Sequence, residues 1–308
     1  MSRANLLRLV MLAAIWGGSF LLMRIAVPSL GTATTAGGRL LLGAIALLAW
    51  LAVLRRPLGW GQHWKHFLWN GALNSGLPFL CFAYAAHYIP AGHSAVMTAT
   101  TPMFTVLFAW VVSGLRPSFS KLLGVVVGIV GVATLVRFGA PVSTWEAFTA
   151  YFAVLCAAAM LAAGALVMQK YSAPTDPDAV AAGSLSAAAL LTLPAIAFAP
   201  PGGPITVGPV LALLGLGLLC TGLAYAQYFR LLREAGSERA VTVTLLIPVF
   251  AQGWDALFLH ESLTWAAAIG GALVLSAVVL VFEWVPWLRP APVAVAAPEA
   301  STVRERGA

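Results

Sequence analysis

Charge is what this sequence has least of: only 9 % of its 308 residues are Asp, Glu, Lys or Arg. A soluble domain carries about a quarter, so an ordinary water-soluble fold is excluded. Acid is scarcer than base, 10 residues against 17, and the first carboxylate along the chain is Glu146. Cysteine is also rare. Cys81, Cys156 and Cys220 lie singly within apolar segments, without a CxxC spacing, which leaves neither a disulfide framework nor a metal site. HExxH, GxSxG, a phosphate-binding loop with Lys-Ser/Thr and a paired intramembrane carboxylate are all missing. These absences predict no catalytic residues, no cofactor and no metal, and they exclude ATP-driven chemistry within the chain. The net charge of +7 does not signal nucleic acid, because the bases sit in short loops rather than on one polar domain.

What remains is 61 % hydrophobic, with a mean hydropathy of +0.92. Turn residues cut it into ten apolar stretches, each of about 19 to 26 residues and long enough to cross a bilayer with some tilt. The breaks fall at Pro28 to Thr32, Arg55 to Gly61, His87 to Gly92, Gly114 to Pro117 and Gly139 to Pro141. They continue at Pro174 to Asp178, Pro200 to Pro204, Glu234 to Glu238, His260 to Glu261 and Pro286 to Pro290. The first stretch is too long for a signal peptide and reads as a retained helix. With the N-terminus inside, only Arg24, Arg39 and Arg137 fall in the outer half. The excess of bases therefore predicts a multi-pass protein of the cell (cytoplasmic or inner) membrane, with both termini cytoplasmic. Residues 289–308 read as a disordered cytoplasmic tail.

The chain also repeats itself. Gly76-Leu77 matches Gly222-Leu223, Thr98 matches Thr244, Pro102-Met103-Phe104 matches Pro248-Val249-Phe250, and Gly124 matches Gly270. The offset is about 146 residues throughout, and a repeat of five spans enters the membrane from opposite sides in its two copies. The predicted fold is an all-α membrane protein of ten transmembrane helices in two inverted five-helix repeats, 5–137 and 147–284.

Trp16-Gly17, Arg39, Tyr84-Ala85, Pro102-Met103-Phe104 and His260-Glu261-Ser262-Leu263-Thr264 leading to Gly270 resemble the EamA-type drug/metabolite transporters. The resemblance runs from about Leu6 to Glu283 and implies a carrier of small metabolites. Two departures stand out: Leu115 where the family carries a carboxylate after Gly114, and His260 where it carries glycine. The expected function is secondary transport of amino-acid or drug-like compounds, by alternating access and outward. The alternatives are an intramembrane enzyme acting on lipid or peptide, and a non-transporting scaffold. Expected partners are a small-molecule substrate and the lipid bilayer, with homodimerisation open.

Ionisable groups within spans are costly, so each is a functional candidate. Arg39 lies about 10 Å below the outer end of the second helix. It either pairs with Asp255 to close the outer side, grips a substrate carboxylate, or snorkels to the headgroups. Glu261 reads as a dipole-complementing residue at the start of the last helix, with proton coupling as the rival. His260 reads as a solvated loop histidine. Trp16, Asn74, Tyr225 and Gln252 complete the cavity candidates with Arg39 and Asp255, since such cavities are mostly apolar with a few placed polar groups. Tyr84 and Trp254 read as interfacial aromatics. Pro102 and Pro248 are matched hinge candidates, each removing a backbone hydrogen bond. Gly124, Gly128, Gly270 and Gly271 read as sites of close helix packing.

Overall fold

Apolar runs punctuated by glycine and proline fold into ten helical stretches among the described residues of a computed structural model. Those residues are 2–114, 116–138, 144–171, 176–199, 202–235, 242–260 and 264–284. The helices are α1 (Arg3–Leu30), α2 (Thr32–Val53), α3 (60–85), α4 (Ala91–Ser113) and α5 (Phe119–Phe138). There follow α6 (Trp145–Tyr171), α7 (Pro177–Phe198), α8 (207–235), α9 (243–259) and α10 (Trp265–Val281). Gly31, at φ 78°, ends α1 in a conformation that costs glycine little, and α2 starts at once. Asp176 and Thr264 cap α7 and α10 by accepting from the amides of Asp178 at 3.1 Å and Ala267 at 3.1 Å. Thr264 thus caps the last helix. Glu261, to which sequence gave a role at that helix end, lies outside the described residues, as do Leu115, the Gly139 to Pro141 break and the tail 289–308.

Seven helices (α1, α2, α4 to α8) are long and apolar enough to span a bilayer. The sequence promised ten. Helices α9 and α10 are apolar but shorter as described, and Asn70, Asn74 and Ser75 interrupt the apolar run of α3. The surface shows what surrounds the bundle: Ile129 is 63 % exposed and Phe152 61 %, while Ala157, Ala158, Ala182 and Ala188 are sealed inside. Large apolar side chains outside and small ones inside match a lipid solvent, where packing rather than water exclusion holds helices together.

Many helix contacts recur when the two sets of five are exchanged, though α1 on α4 and α4 on α10 have no counterpart of comparable extent. α1 packs on α9 as α6 packs on α4, α1 on α8 as α6 on α3, and α2 on α8 as α7 on α3. α2 meets its own counterpart α7, and α5 meets α10. In the last pair the two backbones meet at reciprocal glycines: a Cβ on Gly270 would stand 2.8 Å from the Gly131 carbonyl oxygen, and one on Gly131 would stand 3.0 Å from that of Gly270. Gly124 lies as close to Ala277, and Gly128 is pressed by Met103, whereas a Cβ on Gly271 would meet its neighbours at an ordinary 3.5 Å.

The two prolines are matched in sequence but not in backbone. Helix α4 is interrupted at Ala99–Thr100, and Pro102 opens its second half; α9 runs unbroken through Pro248. Pro102 cannot donate to the Thr98 carbonyl, and the Thr101 hydroxyl does so instead at 2.7 Å. Ile247 replaces that threonine in the second repeat and offers no hydroxyl.

Ion pairs tie helix ends together, and one cluster centres on Glu234. Arg8 of α1 donates to Glu234 at the end of α8 at 2.9 Å and to Gln227 at 3.2 Å, while Arg230 donates to Glu234 at 2.8 Å. Hydrogen bonds from Arg230 and then Arg8 hold the Glu234 carboxyl below the usual carboxylate range.

Two outcomes follow. Gly270→Val should lower the unfolding midpoint in detergent by the equivalent of about 1–3 kcal/mol of overpacking, whereas Gly253→Val, with open space around it, should leave it unchanged. A carboxyl with a depressed folded-state pKa contributes stability above its unfolded value of about 4.3, and loses it as pH falls through the folded value. Wild type should therefore outlast Glu234→Gln at neutral pH, and in a pH series of melts the difference should shrink as acid protonates the folded-state carboxyl.

Candidate functional site

Two interruptions in the bundle share the repeat spacing. α3 contains a π-helical turn at Ala72–Gly76, and α8 contains one at Gly215–Leu223. Such turns insert a residue and rotate the following side chains onto a new face, and they cluster at functional sites. Each carries a buried hydroxyl, Ser75 in the first repeat and Thr221 at the equivalent position of the second. One turn later stand Phe79 and Tyr225, again equivalent. The Thr221 hydroxyl donates to the Leu216 carbonyl five residues back at 2.8 Å, which ties the side chain to the wider turn.

Arg39 reaches this junction from α2. Its Nε donates to Thr221 Oγ1 at 2.9 Å, its guanidinium carbon lies 4.0 Å from the centre of the Phe79 ring, and Nη1 is 4.0 Å from Met23 Sδ. Tyr225 is within electrostatic reach of the guanidinium and shares a side-chain hydrogen bond with Ser75. Arg39 is only 4 % exposed, and no carboxylate among the described residues pairs with it. The repeat-equivalent of Arg39 is Leu185, so the pseudo-symmetric surroundings hold a single charge. One helical turn before Arg39, the hydroxyl of Thr35 is fully buried and has no hydrogen-bond partner.

An aromatic run leads away from the junction. Trp16 donates to the Cys220 carbonyl at 3.1 Å and meets Tyr225 edge-on at 6.3 Å and Tyr228 at 5.2 Å. Tyr228 in turn faces a cavity of about 1010 Å³. Thr98, Thr101, Pro102 and Thr105 of the broken helix α4 form one wall, with Thr244 and Ile247 of α9 beyond. Arg116, Lys121 and Glu283 stand at one end of it, with Lys121 Nζ 3.9 Å from Glu283 and the Ser118 hydroxyl bonded to the same carboxylate. The Thr98, Thr101 and Thr105 hydroxyls donate to carbonyls of their own helix, so they present the cavity with acceptors.

The opposite end is shut. Arg24 of α1 donates to the carbonyls of Ile89 at 2.7 Å and Ala86 at 3.2 Å. Asp255 of α9, 4 % exposed, accepts from the Gly92 amide at 2.6 Å. A Cβ at Gly92 would stand 2.6 Å from Gln252 Cγ, so only glycine allows this approach. His93 shares a 2.7 Å hydrogen bond with the Tyr151 hydroxyl of α6. The α3–α4 loop is thereby pinned from three sides.

The structure sorts the sequence candidates into groups. Trp16, Arg39 and Tyr225 meet at the junction. Asn74, one residue from Ser75, bonds to Asn70 and packs on Gly164 of α6. Gln252 and Asp255 belong to the shut end. No Arg39–Asp255 ion pair forms among the described contacts, because Arg39 turns toward the π-turn of α8 while Asp255 serves Gly92. None of the six candidates lines the described cavity. Tyr84 bonds to Thr149, Trp254 to the Ala14 carbonyl, and His260 sits exposed in left-handed backbone. Ser75, Phe79, Thr221 and Tyr228 were missed. Extending the 146-residue alignment to every position pairs Ser75 with Thr221 and Phe79 with Tyr225.

Comparison with known proteins agrees with this architecture. The family model described as "EamA-like transporter family" matches residues 5–137 and 148–283. An uncharacterized transporter of Archaeoglobus fulgidus is 27 % identical over 89 % of this chain and 95 % of its own. The uncharacterized transporter YoaV of Bacillus subtilis is 26 % identical, covering 87 % and 93 %. A probable amino-acid metabolite efflux pump of Escherichia coli is 23 % identical, covering 90 % and 94 %. A crystal structure of a protein 19 % identical superposes with a TM-score of 0.61, covering 94 % of this chain and 100 % of the other, which is a likeness of fold.

The Arg39–Thr221 bond makes a direct prediction. Thr221→Val keeps the shape but leaves a buried, charged donor without its oxygen acceptor, a cost of about 1–3 kcal/mol. The melting midpoint in detergent should fall accordingly, while Ser276→Ala, which removes an exposed hydroxyl bonded within its own helix, should leave it in place.

Proposed function

The chain belongs to the EamA-like transporter family, and from that premise we propose that it exports a small organic metabolite by alternating access. The family consists of membrane transporters, not enzymes, and the protein is a multi-pass membrane protein with a small-molecule substrate. The observation that carries the mechanism is the contrast between the two ends of the bundle. A cavity of about 1010 Å³ runs toward Arg116, Lys121 and Glu283, while the far end is pinned by Arg24 and Asp255. A carrier needs one end open while the other is shut.

Five helices per repeat, with many contacts that recur on exchange, support inverted halves related by a pseudo-twofold axis in the membrane plane. Bases gathered at the Arg8, Arg116, Lys121 and Arg230 end support a cytoplasmic position for that end and for both termini. The conformation described here is then inward-facing, and Pro102 and Pro248 are the hinges on which α4 and α9 bend. The name of the Escherichia coli relative supports metabolite efflux as the direction and class.

The test of transport is twofold. Cells with and without the protein are compared for exported metabolites, and compounds that differ are examined for counterflow in proteoliposomes. A metabolite that accumulates outside only with the protein, and exchanges in proteoliposomes, is the expected result; no counterflow for any of them would sink the reading.

The shut end gives a separate expectation. Asp255→Ala removes the acceptor of the Gly92 amide and should loosen the α3–α4 loop. In a chain with Cys81, Cys156 and Cys220 replaced by alanine, a probe at the fully buried Ile89 (Ile89→Cys) reports opening by maleimide labelling. Labelling should rise at least about threefold on adding Asp255→Ala, with slower counterflow, because a gate that opens freely uncouples the two ends. Unchanged labelling would mean that the loop is held by packing alone.

A further inference from the structure

Resting on the transport reading above, we propose that the repeat junction around Arg39 is a carboxylate site, and that the substrate is an organic monocarboxylate with an apolar body. Three independent observations converge there. A guanidinium has five N–H donors, yet Thr221 Oγ1 is the sole oxygen acceptor that Arg39 meets among the described residues. The weak Met23 sulfur contact and the face of Phe79 leave most of the fork for a ligand. The charge is 96 % buried at membrane depth without a counter-carboxylate, an arrangement that proteins retain where an anion visits. One turn away on the same face of α2, the orphaned Thr35 hydroxyl adds a second polar group that lacks a partner.

The surroundings define the rest of the ligand. Planar, bidentate recognition by arginine suits a carboxylate. Phe79 lays its ring face on the guanidinium, and Tyr225, at the equivalent position of the other repeat, stands within electrostatic reach of it. A compact inorganic ion has no use for such walls; an apolar body does. No acidic side chain among the described residues stands at the junction to receive an ammonium group, so a second, positive charge on the substrate has no partner there. The ring of Tyr228 at the cavity, packed on Trp16 and so on toward Tyr225, separates the junction from the cavity in this state. Substrate reaches Arg39 when those rings part.

The test uses the purified full chain in detergent and three pairs of probes: 3-phenylpropanoate, indole-3-acetate and 4-methylpentanoate, each with its primary amide. Calorimetric titration of wild type should favour at least one carboxylate over its amide by about tenfold or more. Arg39→Gln should erase that preference while leaving amide binding in place, and Arg39→Lys should retain part of it. Should Arg39→Gln fail to elute as a single species, Phe79→Leu and Thr221→Val keep the charge and remove its supports, and each should shrink the preference severalfold. Equal affinity within every pair in wild type, or a preference that survives Arg39→Gln, overturns the proposal. So does inorganic phosphate that competes as well as the best carboxylate, since that marks a site without need of an apolar body. Counterflow of the preferred carboxylate in proteoliposomes separates the two claims. Binding without exchange would remove transport and leave the site, and exchange indifferent to Arg39→Gln would remove the site and leave transport.

Discussion

In hydrocarbon, a peptide group without a partner costs several kcal/mol, because no water is present to replace the lost bond. Among the described residues, several departures from regular helix are met by a nearby polar group. In the wide turn of α8, the Thr221 hydroxyl adds a donor to the Leu216 carbonyl. Pro102 frees the Thr98 carbonyl, and Thr101 supplies the donor. The end of α3 is followed by a loop whose carbonyls at Ala86 and Ile89 are taken by Arg24. Irregular backbone at membrane depth is tolerated where protein surrounds it, and these sites all face the interior between the two sets of five helices.

The scaffold is nearly symmetric and its chemistry is not. Many contacts between helices recur on exchange of the halves, and α5 and α10 press backbone against backbone through reciprocal glycines. At the junction, however, Arg39 faces a place where its counterpart is Leu185, and Thr101 corresponds to Ile247. Packing requires that both repeats keep small residues at the same places. Binding a ligand that itself lacks symmetry requires only one copy of each polar group, and a second buried cation would double the desolvation cost without a second partner.

Much of the fold was legible in the sequence because its signals are local or periodic. Glycine and proline marked the ends of the apolar runs, and the 146-residue offset paired helices that then proved to pack on one another, as α5 does on α10. The site was half legible. Arg39, Trp16 and Tyr225 stood out as polar or amphipathic groups in apolar surroundings. Their neighbours Ser75 and Thr221 looked like ordinary helical hydroxyls, and Phe79 looked like any core aromatic. What brings them together is a π-turn in each repeat, a local change of register that leaves no mark on hydropathy. The Arg39–Asp255 pair failed for a related reason. Depth along a helix can be counted from sequence, but the direction in which a side chain leaves the helix cannot once the turn widens.

The interruption of α4 at Ala99–Thr100 has no twin in α9, whose equivalent residues are helical, while the π-turn at Asp255–Leu259 in α9 corresponds to regular helix in α4. On the inverted-repeat reading, the two helices are one element caught in two shapes. With the proposed alternating access, the other conformation would have α9 broken near Leu245 and Leu246, α4 continuous past Ala99, and the open and shut ends exchanged. On that reading one static structure holds both shapes of the element, one in each half.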